Sequence, residues 1–344
     1  MKIAEFDFEL PDELIAQEPL AKRENSRMLS VNRASSSYGD EHFYNFPKFL
    51  KKGDVVVLNN TKVFPARLFG ESETGAKIEL FLVRETESQV WETLARPARR
   101  LKIGKKVLFG ENLVAEVLEK TEEGRVFVRF EAKGNFDELL EEIGKTPLPP
   151  YIRREEPSSF DKDRERYQTV FAKQKGAIAA PTAGLHFTPQ ILEEINSSGV
   201  RIAEITLHVG YGTFEPVRVN DLSEHKVLPE SYEISDETAE TLNQAKTENR
   251  RIIAIGTTTT RTLETAISKH GKFIAEKNLT DLTITPGYKF KAIDGLLTNF
   301  HLPQSSLLVL VSTFGGYELI MESYKHAVAE KYRFYSYGDC MLII

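Results

Sequence analysis

Between residues 66 and 130 the chain runs in short apolar stretches, each closed by a turn residue. The stretches cover 66–69, 76–83, 90–95, 106–109, 113–118 and 125–130, with Gly70, Gly75, Gly104, Gly110 and Gly124 between them. Six runs at this spacing predict six short strands, hence a small β-barrel or sandwich. Residues 136–143 then read as a helix, and Pro147-Leu148-Pro149-Pro150 as a stiff connector.

Both flanks of this segment have a different texture. Val55-Val56-Val57-Leu58 is a buried-strand run that ends in the polar cluster Asn59-Asn60-Thr61-Lys62. Near the N-terminus Pro11-Asp12-Glu13 reads as a helix start. After residue 160 strands and helices alternate. Thr188-Pro189 predicts an N-cap and first helical position, with Gly199 past the helix end. Residues 200–208 and 251–255 read as strands, 261–269 as a helix closed by Gly271, and 316–331 as a helix with Ile320, Tyr324 and Val328 on one face. The apolar run 307–311 is expected to be a buried strand, and the aromatic–polar alternation of 332–340 another. The expected fold class is therefore α/β: a large mixed-sheet α/β domain built from 1–60 and 155–344, with a small β-barrel domain, 61–154, inserted. At 344 residues, two domains is also what the length predicts.

Composition excludes several function classes. The single cysteine, Cys340, leaves no thiolate set for an iron–sulfur cluster or a cysteine-ligated zinc site, and no internal disulfide. Net charge is −6, from 45 Lys+Arg against 51 Asp+Glu, which excludes a wholly basic nucleic-acid coat but allows a local basic face. The longest stretch without formal charge, 295–317, contains Asn299, His301, Gln304, Ser305 and Ser306, so no membrane span is expected. A cytoplasmic location follows from the charged N-terminus and the lone cysteine.

Six segments carry residues capable of chemistry. The segment 179–188, Ala-Ala-Pro-Thr-Ala-Gly-Leu-His-Phe-Thr, offers Thr182, Gly184 and His186 before a helix N-terminus; a tightly packed loop is the alternative. The end of the 200–208 strand offers His208, Gly210, Gly212, Thr213 and Glu215, two proton-transfer candidates with glycines that permit close approach. Gly256-Thr257-Thr258-Thr259-Thr260-Arg261 suits an anion, with Thr257 and Arg261 as candidates, or is simple helix capping. Asn299, Phe300 and His301 offer stacking and base-edge hydrogen bonds, or a plain turn. Arg333 and Asp339 bind a ligand or pair internally. The run 96–106 holds six positive charges in eleven residues; Arg99, Arg100 and Lys102 on a barrel could track phosphates or form a solvated edge.

Taken together and in this order, these segments resemble the S-adenosylmethionine:tRNA ribosyltransferase-isomerase family of queuosine biosynthesis. The resemblance also rests on Leu14-Ile15-Ala16-Gln17, Ser26-Arg27, Asn60-Thr61-Lys62-Val63, Pro65-Ala66-Arg67-Leu68, Leu148-Pro149-Pro150-Tyr151-Ile152, Arg166-Tyr167-Gln168-Thr169, Thr206-Leu207-His208-Val209-Gly210 and Tyr332-Arg333-Phe334, so it spans essentially the whole chain. Two positions depart from the family pattern. Leu228 stands where a histidine is usual in the segment His225–Glu230, and Cys340 where alanine is usual.

The resemblance implies an enzyme that moves the ribosyl part of S-adenosylmethionine to 7-aminomethyl-7-deazaguanine at the wobble position of a tRNA with a GUN anticodon. Epoxyqueuosine forms, and adenine and methionine leave. No cofactor and no metal are implied, S-adenosylmethionine being a cosubstrate, and a monomer is the expected state. The sulfonium acidifies the neighbouring ribose carbon, so a base is needed; His208 leads, with His186 and His301 beside it. Asp339 or Glu215 is expected to protonate the leaving adenine, and Arg27 or Arg333 to hold a carboxylate or phosphate. Asn60, Thr61, Lys62, His186, His208 and His301 are expected to meet in one cleft. A methyltransferase of the same cosubstrate and a non-catalytic tRNA-binding protein are the competing readings. The former calls for a glycine-rich turn after the first strand, which this chain lacks, and the latter gives no reason for a cleft rich in histidine and glycine.

Overall fold

The computed structural model describes all residues except 155–158, 215, 216 and 218, together with the side chains of 159–161, 213 and 214. Its main element is a nine-stranded mixed sheet. From edge to edge the strands are Glu276–Thr280, Glu230–Ile234, Arg201–Leu207, Val55–Asn59, Ile252–Ile255, Gly295–Asn299, Cys340–Ile343, Arg27–Asn32 and Ser37–His42. Val55–Asn59 runs parallel to both neighbours, and Ile252–Ile255 parallel to Gly295–Asn299. Every residue of Val55–Asn59, Ile252–Ile255 and Gly295–Asn299 is buried, which is why Val55–Leu58 and Ile252–Ile255 read as unbroken apolar runs. Four strand ends therefore point the same way, at Leu207, Asn59, Ile255 and Asn299.

The expected barrel is present and closed. Arg125–Ala132, Val90–Arg96, Lys77–Glu87, Arg67–Ser72, Lys106–Phe109 and Leu113–Lys120 pair antiparallel in that order, and the last returns to the first. Alternate residues of Leu113–Lys120, namely Leu113, Ala115 and Val117, are buried in the barrel core. Gly70 is required where strands cross closely: a Cβ there would stand 2.5 Å from the Leu108 carbonyl oxygen. The helix Phe136–Ile143, capped by Asn135, packs Leu140 onto the same core. A short parallel pair, Thr61–Val63 with Gln174–Ala177, ties the chain entering the barrel to the chain that has left it.

Four local expectations are corrected. Residues 307–311 are not a strand but part of the helix Ser306–Gly315, because Ser305 caps it by accepting the Leu308 N–H (3.2 Å). An apolar run alone cannot separate a buried helix from a buried strand. Of 332–340 only Cys340 is in a strand; the rest is a loop folded back on Asp339, whose carboxylate accepts the N–H groups of Arg27 (2.9 Å) and Arg333 (2.8 Å). The helix expected at 261 begins a turn earlier, as Thr257–His270, with Gly256 at its N-cap (φ 94°) and Gly271 in the left-handed region (φ 69°) at its C-cap. The N-terminal helix start at Pro11 is a single 3-10 turn, Asp12–Leu14. Among the described residues no helix is long and apolar enough to cross a membrane.

Candidate functional site

The carboxyl ends of the parallel strands open onto a cavity of about 180 Å³, the place where α/β sheets hold ligands. Its floor is the start of Thr257–His270, where Gly256 provides no side-chain cap, so first-turn N–H groups are available to a ligand. Thr257 and Thr258 line the cavity, whereas Thr259 and Thr260 are hydrogen-bonded back to the carbonyls of Ile255 and Gly256. Thr182, Asn299 and His301 are also on its wall. Among the described residues, no Lys, Arg, Asp or Glu side chain lines it.

His301 bonds Thr298 through Nε2 (2.9 Å), and burial pushes its pKa down to about 3, so the ring is neutral. Asn299 is held by the Tyr335 carbonyl (2.9 Å). Two aromatic rings that sequence reasoning did not single out, Tyr151 and Tyr335, meet edge to face on the wall with centroids 3.8 Å apart. Tyr167 and Ser336 complete that side. Tyr151 and Tyr167 lie in segments that carry the family resemblance, but as uncharged residues they offered no signal of their own.

A second, larger space of about 750 Å³ lies between the barrel and the sheet edge. Trp91 and Arg125 face it from the barrel, and Lys175, Gly176, His208 and Tyr211 from the other side. Gly210 and Gly212 form part of the same rim. Its charges are paired: Arg84 with Glu92 (2.7 Å), Lys175 with Asp137 (2.8 Å). His208 is half-buried, and its Nδ1 is 2.8 Å from the Thr61 hydroxyl, which is itself 3.5 Å from the Gln174 carbonyl. When Thr61 donates to that carbonyl, Nδ1–H donates to Thr61 and Nε2 is the free base. Burial lowers the His208 pKa, opposed by the Glu233 charge. Val209 lines both the cavity and the groove.

The single cleft expected for the histidines is thus two spaces, because successive strand ends face different layers. His301 belongs to the cavity and His208 to the groove. His186 lines neither: it is buried with Nδ1 on Ser26 (2.7 Å) and Nε2 on Asn299 (3.3 Å), and burial lowers its pKa to about 4.

Several other candidates have internal partners. Asn60 accepts from Thr206 (2.7 Å) and donates to Glu204 (3.0 Å). Arg27 donates to the Glu330 carbonyl (2.7 Å) and lies over the Tyr332 ring. Arg333 reaches the Glu18 carbonyl, and Arg261 is paired with Glu230. Asp339 lines neither space; burial raises its pKa against the pull of its two N–H donors. The Phe300 ring touches the cavity wall, but it is fully buried against Tyr324, Tyr332 and Phe334. Gly184 packs on Phe171 and Thr169, where a Cβ would come within 2.9 Å.

Lys62 is exposed at a separate cavity beside the barrel connector. Arg99, Arg100 and Lys102 are exposed at a barrel turn, away from both spaces. Leu228, in place of the family histidine, lies over Gly212. Glu215 and the Thr213 side chain lie outside the described residues. Among the described residues, no group of three His, Cys, Asp or Glu side chains is arranged to hold a metal ion.

A mixed α/β sheet with a cavity at its parallel strand ends and a barrel facing that edge defines the class: an α/β protein with two adjoining ligand spaces. The sequence profile described as queuosine biosynthesis protein matches residues 3–343. Among curated relatives, S-adenosylmethionine:tRNA ribosyltransferase-isomerases are 51% identical in Caldanaerobacter subterraneus and 50% identical in Staphylococcus haemolyticus, with both chains covered in full. The crystal structure of S-adenosylmethionine tRNA ribosyltransferase from Thermotoga maritima is 36% identical, covers 99% of this chain and all of its own, and superposes with a TM-score of 0.56. The chain belongs to the queuosine biosynthesis protein family.

Proposed function

We propose that this protein is an enzyme that transfers and isomerises the ribosyl group of S-adenosylmethionine onto 7-aminomethyl-7-deazaguanine at the tRNA wobble position, releasing adenine and methionine. The names of the full-length relatives support the reaction. The observation that carries it at the level of geometry is that, among the described residues, a cavity lined by no Lys, Arg, Asp or Glu side chain adjoins a larger groove through Val209. Such a pair gives a small donor an enclosed site beside a larger space that can admit a nucleotide of the acceptor.

In this reading S-adenosylmethionine occupies the cavity. Its sulfonium meets no basic side chain of the described residues there and faces the rings of Tyr151 and Tyr335. Its methionyl carboxylate is held by the first-turn N–H groups at Thr257 and Thr258. The anticodon nucleotide enters the groove. His208, oriented by Thr61, takes the proton from the ribose carbon next to the sulfonium, and neutral His301 with Thr298 supplies hydrogen bonds in the cavity. No metal or further cofactor has a part in these steps. We further propose that 1–60 with 155–344 is the catalytic domain and 61–154 the inserted one, that the enzyme acts as a monomer, and that it works in the cytoplasm.

The test is direct. Incubation with tRNA carrying the aminomethyl base and S-adenosylmethionine is expected to give free adenine and epoxyqueuosine in equal amounts. Methylated tRNA in place of adenine release would overturn the proposal.

A further inference from the structure

Glu230 opens the strand Glu230–Ile234, and its side chain is only 6% exposed. One carboxylate oxygen accepts the N–H of Gly210 (2.9 Å); the other is paired with Arg261. Arg261 sits on the helix Thr257–His270, whose first residues line the cavity, and its Nε is fixed by the Leu282 carbonyl (3.0 Å). A single carboxylate therefore ties the helix of the cavity to the loop that follows His208.

Among the described residues, that loop includes the one segment common to both spaces. Val209, immediately before Gly210, lines the cavity and the groove. Its earlier anchors are the His208 N–H on the Ser231 carbonyl (3.0 Å) and the Ile178 N–H on the Val209 carbonyl (3.1 Å). At Gly210 packing does not hold the chain: a Cβ built there meets nothing nearer than Glu230 itself, at 3.9 Å. The hydrogen bond to Glu230 holds the Gly210 backbone between the buried Val209 and Tyr211, whose ring packs on Phe81 and Arg125.

We propose that Glu230 is a positioning residue: by accepting the Gly210 N–H at the start of its strand, with Arg261 balancing its buried charge, it sets the wall at Val209 across which donor and acceptor are aligned. This rests on the transfer reading above. Each substrate has its own space, so loosening the wall leaves binding intact and slows the step that needs both. A misplacement of about 1 Å costs up to about a hundredfold in rate.

Two double variants isolate the clamp. Both avoid an unpaired buried charge, which would itself destabilise the fold. Glu230→Met with Arg261→Met removes the acceptor for Gly210; Glu230→Gln with Arg261→Met keeps it. The Met/Met enzyme is expected to lose about thirtyfold in kcat with both KM values within about threefold of wild type, and the Gln/Met enzyme to recover to within about threefold of wild-type kcat. Equal kcat values in the two variants, or a loss confined to KM, would overturn the proposal. Gly210→Pro, which deletes the N–H and leaves the ion pair in place, supplies a second reading should the Met/Met chain not fold: loss of kcat supports the clamp and normal kcat overturns it. Wild-type enzyme run alongside separates the claims. Without adenine release from wild type, the transfer reading fails and the role of Glu230 with it; with normal wild-type turnover, only the role of Glu230 is at stake.

Discussion

Gly176 presses its backbone against the ring of His208: a Cβ added at Gly176 would lie 2.7 Å from Nδ1 and 2.9 Å from Nε2. Gly176 also has φ 153°, a conformation that side-chain-bearing residues rarely adopt. The ring is thus caught between Thr61 and a glycine backbone, on the strand pair that ties the barrel's entry to its exit. Gly176→Ala is expected to displace the imidazole and lower turnover at least tenfold, with tRNA affinity unchanged. Single-turnover kinetics beside a tRNA binding titration checks this; equal turnover would mean that the ring position is unimportant.

His208→Ala is expected to lower turnover about a hundredfold or more while tRNA affinity changes little, as loss of a general base requires. Thr61→Val, which keeps the shape but removes the hydroxyl, should give a smaller loss, about tenfold. If His208→Ala turns over at a near-normal rate, the base lies elsewhere.

His186 makes stability depend on pH. In the unfolded chain the imidazole takes up a proton near pH 6.5, whereas the buried ring resists until about pH 4. Between these values the unfolded state binds more protons, so stability falls as pH falls. From pH 7 to pH 5 this amounts to about 2 kcal/mol. His186→Gln should remove that part of the pH dependence, read by urea unfolding at the two pH values. Identical slopes for variant and wild type would assign the acid sensitivity to other groups.

Asp339 is expected to act on the fold rather than on adenine. Its two N–H acceptor bonds hold the loop 333–339, and it reaches neither ligand space. Asp339→Asn turns a donor toward one of those N–H groups and should cost about 1–3 kcal/mol of stability. Turnover per folded molecule should hold within about threefold. An unchanged melting temperature with turnover abolished would make Asp339 the proton donor after all.

The barrel's basic turn tests the reach of the RNA. Replacing Arg99 and Arg100 by alanine should weaken tRNA binding and reduce the steepness of its salt dependence by roughly two charges. A salt slope equal to that of wild type would identify the turn as a solvated edge.

Much of the architecture was legible along the chain because it depends on local rules. Glycine-punctuated runs produced the six barrel strands, unbroken apolar runs the central parallel strands, and Thr188-Pro189 a helix start. Where two local rules agree on a residue's environment the sequence is unambiguous. At 307–311 they do not: the run is apolar all round, and its helical state depends on the cap at Ser305 and on burial between layers. At 332–340 the alternation suggested a strand, but the buried Asp339 carboxylate gathers two N–H groups and folds the segment back.

By itself, the sequence determined the fold class, the barrel and the inventory of polar residues at the strand ends. Only the tertiary structure decided which of those residues face a ligand space. His186, His208 and His301 look alike in sequence. One is locked between Ser26 and Asn299, one faces the groove, and one the cavity. Arg27 and Arg333 are bound to acceptors that come from distant parts of the chain. A polar side chain must satisfy its hydrogen bonds somewhere, and whether its partner is a ligand or another residue depends on contacts between segments hundreds of residues apart.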